Sequence, residues 1–323
     1  MKIAKYQNTQ KNSERERAPL LKNPGLGAKS EIRYTGIARA THMRTLIVVA
    51  VVGLAAVTGV FSQTNDWEED GLKGKVRDMT IERAELVQKA GTLFEAKRKP
   101  VETMSFTAEG AKIEEAHYSA NGALLWTFVH AYGSDGRRRT TESRLANGTV
   151  SETLVFAYSN DKRTESDTLG PDGSLREKSS YAYDENGNTA EIDEVAADGT
   201  SVGKWTYHYD TRGHVREWAA YNPDGSIFEE STYTYDSEGR LKVAAQYRAD
   251  NSLEKRVTYD SKGNEIEAEK DAADGTVLWK RIYEYEFDSV GNWIKKTTKE
   301  LTGSSGNSDF AAVEIEFRTV QYY

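Results

Sequence analysis

Residues Tyr207 to Arg240 read YHYDTRGHVREWAAYNPDGSIFEESTYTYDSEGR. Two copies of one pattern, YxYDxxG, stand 26 positions apart here, at Tyr209 and Tyr235, and an Asp224-Gly225 pair falls between them. Asp-Gly and Asn-Gly dipeptides flanked by alternating segments are the strongest short-range hairpin signal, because they accept positive φ in a type I′ turn. Ile227, Tyr233 and Tyr235 share one parity, while Glu230, Thr232 and Thr234 take the other. Period two puts each set on one face of a strand, the first apolar and the second wet.

The aromatic position recurs at Phe106, Tyr132, Tyr158, Tyr183, Tyr209, Tyr235, Tyr259 and Phe287, at spacings of 24 to 28 residues. A second turn series, Asn121-Gly122, Asn147-Gly148, Asp172-Gly173, Asp198-Gly199, Asp224-Gly225, Asp250-Asn251 and Asp274-Gly275, lies about 12 residues from the first. Each unit thus holds two turns and two segments of roughly eight to ten residues, about 27 to 34 Å when extended. That is too short for helical repeats of about 33 residues and fits strand-turn-strand. The expected fold is all-β: an elongated antiparallel meander of serial hairpins with about 16 strands. Open sheets of more than about ten strands curl or split. A single twisted and coiled sheet is therefore expected, with the aromatic face inward and each unit touching its neighbours.

Outside the repeat at 101–302, four segments stand apart. Residues 1–42 form a basic leader with nine Lys or Arg against three Asp or Glu. The apolar run Thr45 to Phe61, preceded by Arg44 and followed by Ser62, reads from Met43 as a signal peptide over 43–62 that directs the chain to the periplasm, the cell surface or the medium. Two origins of the leader stay open: upstream translation ahead of a true start at Met43, or the cytoplasmic tail of a membrane anchor, which the positive-inside tendency would favour. In the second case the chain meets the membrane only through residues 45–61. Residues 63–100 read as a linker and a capping hairpin that covers the first strand edge. Residues 303–323 read as a loop, GSSGNSD, and a closing strand.

The whole chain carries 43 basic and 51 acidic groups, and residues 1–62 hold ten of the basic and three of the acidic ones. The remainder has 33 against 48, a net charge of −15. An acidic product argues against nucleic acid as partner, since phosphate binding needs a basic surface. Cysteine is absent, which excludes disulfides and thiolate chemistry.

No GxSxG, P-loop, GxGxxG or HExxH motif occurs, and the histidines are scattered, so no catalytic, cofactor or metal residue is expected and the chain reads as a non-enzyme. Asp184, Asp210, Asp236, Asp260 and Asp288, with Gly187, Gly213, Gly239, Gly263 and Gly291, read as turn formers. The competing reading for the aspartates is calcium, because oxygen donors crowd Asp184 to Asn188, but no known calcium-loop spacing is present. Sixteen of the eighteen tyrosines follow residue 100 and are joined by Trp126, Trp205, Trp218, Trp279 and Trp293. These rings read as a sheet-stabilising ladder. The alternative is a carbohydrate-binding strip, with Trp205, Tyr209, Tyr233 and Tyr235 as candidate stacking residues.

The serial motifs YAYDENGN (181–188), YHYDTRGH (207–214), YTYDSEGR (233–240), VTYDSKGN (257–264) and YEFDSVGN (285–292) resemble the YD repeats of the rearrangement-hotspot (Rhs) proteins and teneurins. The likeness runs from Phe106 to about Thr302. Gly133 replaces the aspartate in one early copy, and the copy at Tyr158 lacks the glycine. The resemblance implies a coiled β-sheet, which in large members becomes a hollow shell around a toxin or inner segment, and an exported protein. At this length a full shell is not expected, nor a self-cleavage motif or toxin domain after the repeats. The expected function is a small, non-enzymatic, exported scaffold whose partner is a protein or an envelope glycan.

Overall fold

The computed structural model describes residues 66–302 and 309–323. The expectations for the leader, the signal segment and the loop at 303–308 lie outside the described residues. One turn of helix, α1 (Asp66–Glu69), precedes nineteen strands. The first are β1 (Val76–Lys89), β2 (Thr92–Glu95), β3 (Lys99–Phe106), β4 (Lys112–Tyr118), β5 (Leu124–Tyr132) and β6 (Arg138–Leu145). Next come β7 (Val150–Ser159), β8 (Lys162–Leu169), β9 (Leu175–Tyr183), β10 (Thr189–Ala196), β11 (Ser201–Tyr209), β12 (Val215–Tyr221) and β13 (Ile227–Tyr235). The last are β14 (Leu241–Arg248), β15 (Leu253–Tyr259), β16 (Glu265–Asp271), β17 (Val277–Phe287), β18 (Trp293–Thr302) and β19 (Asp309–Tyr322).

From β3 to β19 each strand pairs antiparallel with the next, as the repeat predicts. The open meander, however, is overturned. One edge of β1 pairs with β19 from Val76↔Tyr322 to Glu85↔Glu314, and its other edge pairs with β3 from Asp78↔Ser105 to Arg83↔Lys99. The sheet is therefore a closed antiparallel barrel of eighteen strands, and β2 is an extra strand paired with β1 alone at Leu86–Lys89. The segment read as a cap contributes a strand of the wall. Closure abolishes both edges of the eighteen-strand array, which an open sheet would have left as rows of unpaired amides and carbonyls.

The curvature that permits closure comes from the turns, and these also differ from the type I′ reading. In Asp210 to His214, the Asp210 N–H donates to the His214 carbonyl at 2.8 Å and the Gly213 N–H donates to the Asp210 carbonyl at 3.1 Å. Only Gly213 has positive φ, +84°. This is a type I turn followed by a left-handed residue, the arrangement that places a bulge beside the turn. The same pattern closes Asn222 to Ser226, and the ladder shifts register between Thr234 and Tyr235, Ala220 and Tyr221, and Gln246 and Tyr247. Each bulge bends its strand and increases twist, so a bulge at every hairpin from β3 to β18 curls the sheet in one sense. The copy at Tyr158 departs: Asn160 and Asp161 both have positive φ, and the missing glycine is replaced by a true two-residue turn.

Eighteen strands spaced about 4.8 Å apart give a perimeter of about 86 Å and a radius of about 14 Å before tilt, wide enough for a lumen. In a single-layer ring, side chains converge on the concave side and spread on the convex side. Trp205, Tyr207 and Tyr233 are only 6, 4 and 7% exposed, whereas the Lys204 side chain on the opposite face is 42% exposed. The ring-bearing face therefore lines the lumen.

Two devices fix this lining. In five successive repeats the marker tyrosine reaches back to a backbone carbonyl twenty positions earlier: Tyr132 to Lys112, Tyr158 to Arg138, Tyr183 to Arg163, Tyr209 to Thr189 and Tyr235 to Val215, at 2.6 to 2.9 Å. Near the seam, Trp67 follows α1's first residue and packs with Leu72, Val76, Met79, Ile81 and Phe106, and its Nε1 donates to the Val76 carbonyl at 2.7 Å. Replacing Tyr235 by Phe keeps the ring and removes one tether; a loss of about 0.5–1.5 kcal/mol is expected, read as a lower urea midpoint with unchanged slope. Trp67→Ala empties the seam core and should cost about 3–5 kcal/mol in the same assay. An unchanged midpoint in either variant would show that its contact is dispensable.

Candidate functional site

A charged cluster of the lumen wall lies beside the seam. Pairing of β3 with β4 sets Glu102 opposite His117 and Met104 opposite Glu115. Period two then puts Glu102, Glu115 and His117 on one face. The His117 Nε2 lies 2.6 Å from Glu115 Oε1, and its Nδ1 lies 3.7 Å from Glu102 Oε1. The Lys112 ammonium is 2.9 Å from both Glu115 Oε2 and Asp70 Oδ1. The His117 ring leans on Trp126, with centroids 5.5 Å apart, and meets the edge of Phe128 at 5.8 Å.

Burial sets the protonation of these groups. It pushes Glu102 up to about 7, and the neighbouring Glu115 adds to the effect. Burial works on Glu115 in the same direction, but the His117 hydrogen bond and the Lys112 ammonium outweigh it and hold Glu115 down at about 2. Asp70 rises to about 6 through burial, which Lys112 only partly offsets. His130 is forced down to about 3, first by burial and then by Arg138 and Lys112.

The first residue of α1 holds the neighbouring strands together. Asp66 accepts hydrogen bonds from the Lys112 backbone N–H at 2.5 Å, the Tyr132 hydroxyl at 2.6 Å and Arg138 Nη2 at 3.0 Å. On the other side of the seam, Asn292 is 2% exposed. Its amide accepts from the Lys73 N–H and donates to the Lys73 carbonyl, both at 2.8 Å, and donates to the Tyr322 hydroxyl at 2.7 Å. In earlier copies the corresponding Asn188 and Asn264 instead donate to their own turn's Asp184 and Asp260. The last copy has thus turned its motif asparagine toward the chain's described start.

The turn aspartates sit at five separate hairpins of one barrel end. Asp184 Oδ1 accepts from the Asn186 and Asn188 amides, Asp210 from Arg212 and His214, Asp236 from Glu238 and Arg240, and Asp260 from Lys262 and Asn264. Asp288 accepts from Val290, Gly291 and Asn292. Gly187, Gly213, Gly239, Gly263 and Gly291 all have positive φ, between 83 and 98°. The four ring candidates come together in one lumenal cluster: Trp205 and Tyr233 are buried in it with Ile192, Tyr207, Val215 and Ala220, while Tyr209 and Tyr235 pack against its side. The Tyr233 hydroxyl accepts from Trp218 Nε1 at 2.8 Å, and the hydroxyls of Tyr209 and Tyr235 are engaged in the backbone tethers.

Glu194 escaped the sequence reading. It is 2% exposed, lies opposite Gly203 on β11 and Ser179 on β9, and is raised to about 8 by burial and by Glu177. Its parity with the inward Ile192 was the available signal. Glu115 and His117 likewise share parity, but only pairing with β3 adds Glu102.

No protein-family model matches the chain, and no curated protein is significantly similar to it. Among solved structures, the chain is similar to a porin-like protein from Bacteroides uniformis at 13% identity, covering 77% of this chain and 98% of that one with a TM-score of 0.40. A porin-like protein from Bacteroides vulgatus is 12% identical over 75% of this chain and 97% of its own, with a TM-score of 0.33. TcdB2-TccC3 without its hypervariable C-terminal region is 13% identical over 75% of this chain, which spans only 16% of that protein, with a TM-score of 0.27.

Because Glu194 has an ordinary value of 4.5 and a folded value of about 8, the fold favours its neutral acid. That contribution is complete below pH 4.5 and is lost as pH rises toward 8, by roughly 1.4 kcal/mol per pH unit. Glu194→Gln keeps the neutral shape. Parent and variant should unfold at similar urea concentrations at pH 4, and the variant should outlast the parent at pH 8.5. A difference between them that does not vary with pH would remove this account of Glu194.

Proposed function

We propose that this chain is an exported, non-enzymatic barrel scaffold of the YD-repeat kind that works in water and holds a protein or cell-envelope partner. The observation that carries this reading is the charge on both faces of the wall. On the outer face, Lys178 pairs with Glu165 and Asp167, Lys204 with Glu191 and Asp193, and Lys280 with Glu267 and Glu269. On the inner face lie Glu102, Glu115, Glu194 and Arg281. A membrane-spanning barrel needs an unbroken apolar band about 25 Å tall, and a Lys or Arg at its middle costs about 2–4 kcal/mol. Among the described residues neither face offers such a band.

Export is supported by the apolar segment at 45–61 with its flanking Arg44 and Ser62, and the YD resemblance agrees with it. The non-enzymatic reading is supported by the engagement of the conspicuous polar motifs in turns and tethers. A second reading, a glycan held against lumenal rings, is favoured by Trp126, which faces the lumen half-buried and whose Nε1 has no hydrogen-bond partner among the described residues.

The protein expressed in a bacterial host should be released from the envelope without detergent and stay monodisperse. A photo-crosslinker at position 204 or 280 on the outer face should yield one discrete adduct in envelope preparations, whereas one facing the lumen at position 126 should capture a saccharide under the second reading. A requirement for detergent would overturn the water-facing barrel, and turnover of an envelope polymer abolished by one point substitution would overturn the scaffold.

A further inference from the structure

The seam cluster supplies a donor set that the β3–β4 pairing brings together. Glu102, Glu115 and His117 offer one imidazole nitrogen and two carboxylate oxygens, all within 4.8 Å of one another. A zinc ion bound at about 2.0–2.2 Å to such atoms sets them roughly 3.4 Å apart in a tetrahedral shell. Glu115 Oε1 lies 2.6 Å from the His117 Nε2 and Glu102 Oε1 lies 3.7 Å from the other ring nitrogen, Nδ1, so whichever nitrogen binds, one carboxylate swings toward it. Side-chain rotation closes the set on an ion, and the strand ladder that fixes Glu102 opposite His117 need not move.

The surroundings hold each donor in place. Lys112 takes Glu115 Oε2 and leaves Oε1 directed at His117, the kind of outer contact that orients a ligating carboxylate. Trp126 and Phe128 fix the plane of the imidazole. Two carboxylates share this setting with one imidazole, so a doubly charged ion placed among them would offset their mutual repulsion. Lys112 and Arg318 are the cations nearby, with Asp70 as a further acid. Mixed nitrogen and oxygen donors suit zinc or a neighbouring first-row ion and disfavour magnesium and calcium, which take oxygen alone.

We propose that Glu102, Glu115 and His117 form a binding site for a divalent first-row transition ion, zinc above the others, on the lumen wall beside the seam. Three protein ligands leave a fourth position open toward the lumen, where water or an anionic group of a bound partner completes the shell. The site is independent of the scaffold reading: it stands or falls on metal binding alone.

The experiment is calorimetric titration of zinc sulfate into the purified protein after dialysis against a chelator, with cobalt(II) absorption in parallel and magnesium as the contrasting ion. One equivalent of zinc is expected, cobalt should give the intense visible bands of a tetrahedral shell, and magnesium should give no heat. Glu102→Gln and His117→Gln should each weaken zinc at least tenfold and His117→Gln should abolish the cobalt bands, with urea midpoints in chelator confirming that the variants are folded. Absence of zinc binding by the folded parent would overturn the proposal without touching the scaffold reading. So would full affinity and stoichiometry in folded His117→Gln.

Discussion

A β-sheet can be extended indefinitely by adding hairpins, but it always ends in two strands with one unpaired side. In this protein that constraint is met by β1, whose two sides pair with β19 and β3 and so join the ends of the array. Everything else depends on the join. The lumen exists because of it, the tyrosines face a common interior because of it, and α1 finds a pocket to enter because the strands on either side of the seam lie next to each other. The residues around the seam are accordingly the most specialised. Asp66 ties Lys112, Tyr132 and Arg138 together, and Asn292 holds Lys73 and Tyr322.

Closure requires curvature in a constant sense, and the repeat provides it in small increments. Each hairpin of the repeat from β3 to β18 contributes a bulge beside its turn, and most of these turns hold a glycine in a conformation with positive φ that most side chains resist. The tyrosine tethers then lock each increment by joining a ring at the end of one strand to a carbonyl at the start of its neighbour. No single tether contributes much, and their value lies in repetition. The outer face has a different economy: Lys178, Lys204 and Lys280 each bridge two acids across strands, exposed pairs of small individual worth that keep the wall wet.

The sequence made the repeat legible because its signals are local. Aromatic parity, turn glycines and a fixed period all lie within a window of 26 residues, and strands β3 to β18 follow from them. Closure was not legible, because it depends on Val76 meeting Tyr322, a contact between segments that lack the period and lie almost the whole repeat apart. The turn type was misread for a subtler reason: Asp-Gly suits both a type I′ turn and a type I turn with a bulge, and loop length decides between them. The seam cluster was half visible. Glu115 and His117 sit two apart on one strand, but Glu102 joins them only through strand register, and nothing in a single chain announces that Lys112 will fold back onto Glu115.

Because the wall is a closed ring, its girth is counted rather than continuous. Antiparallel pairing all the way round demands an even number of strands, so the unit of change is the hairpin, two strands of eighteen. Loss or gain of one 26-residue repeat would alter the circumference by one ninth while leaving the height, the seam and its specialised residues as they are. The repeat thus acts as a gauge of bore: a lineage that duplicates or deletes copies in the middle of the array resizes the interior in fixed steps, with the join between first and last strands as the one part that must be kept.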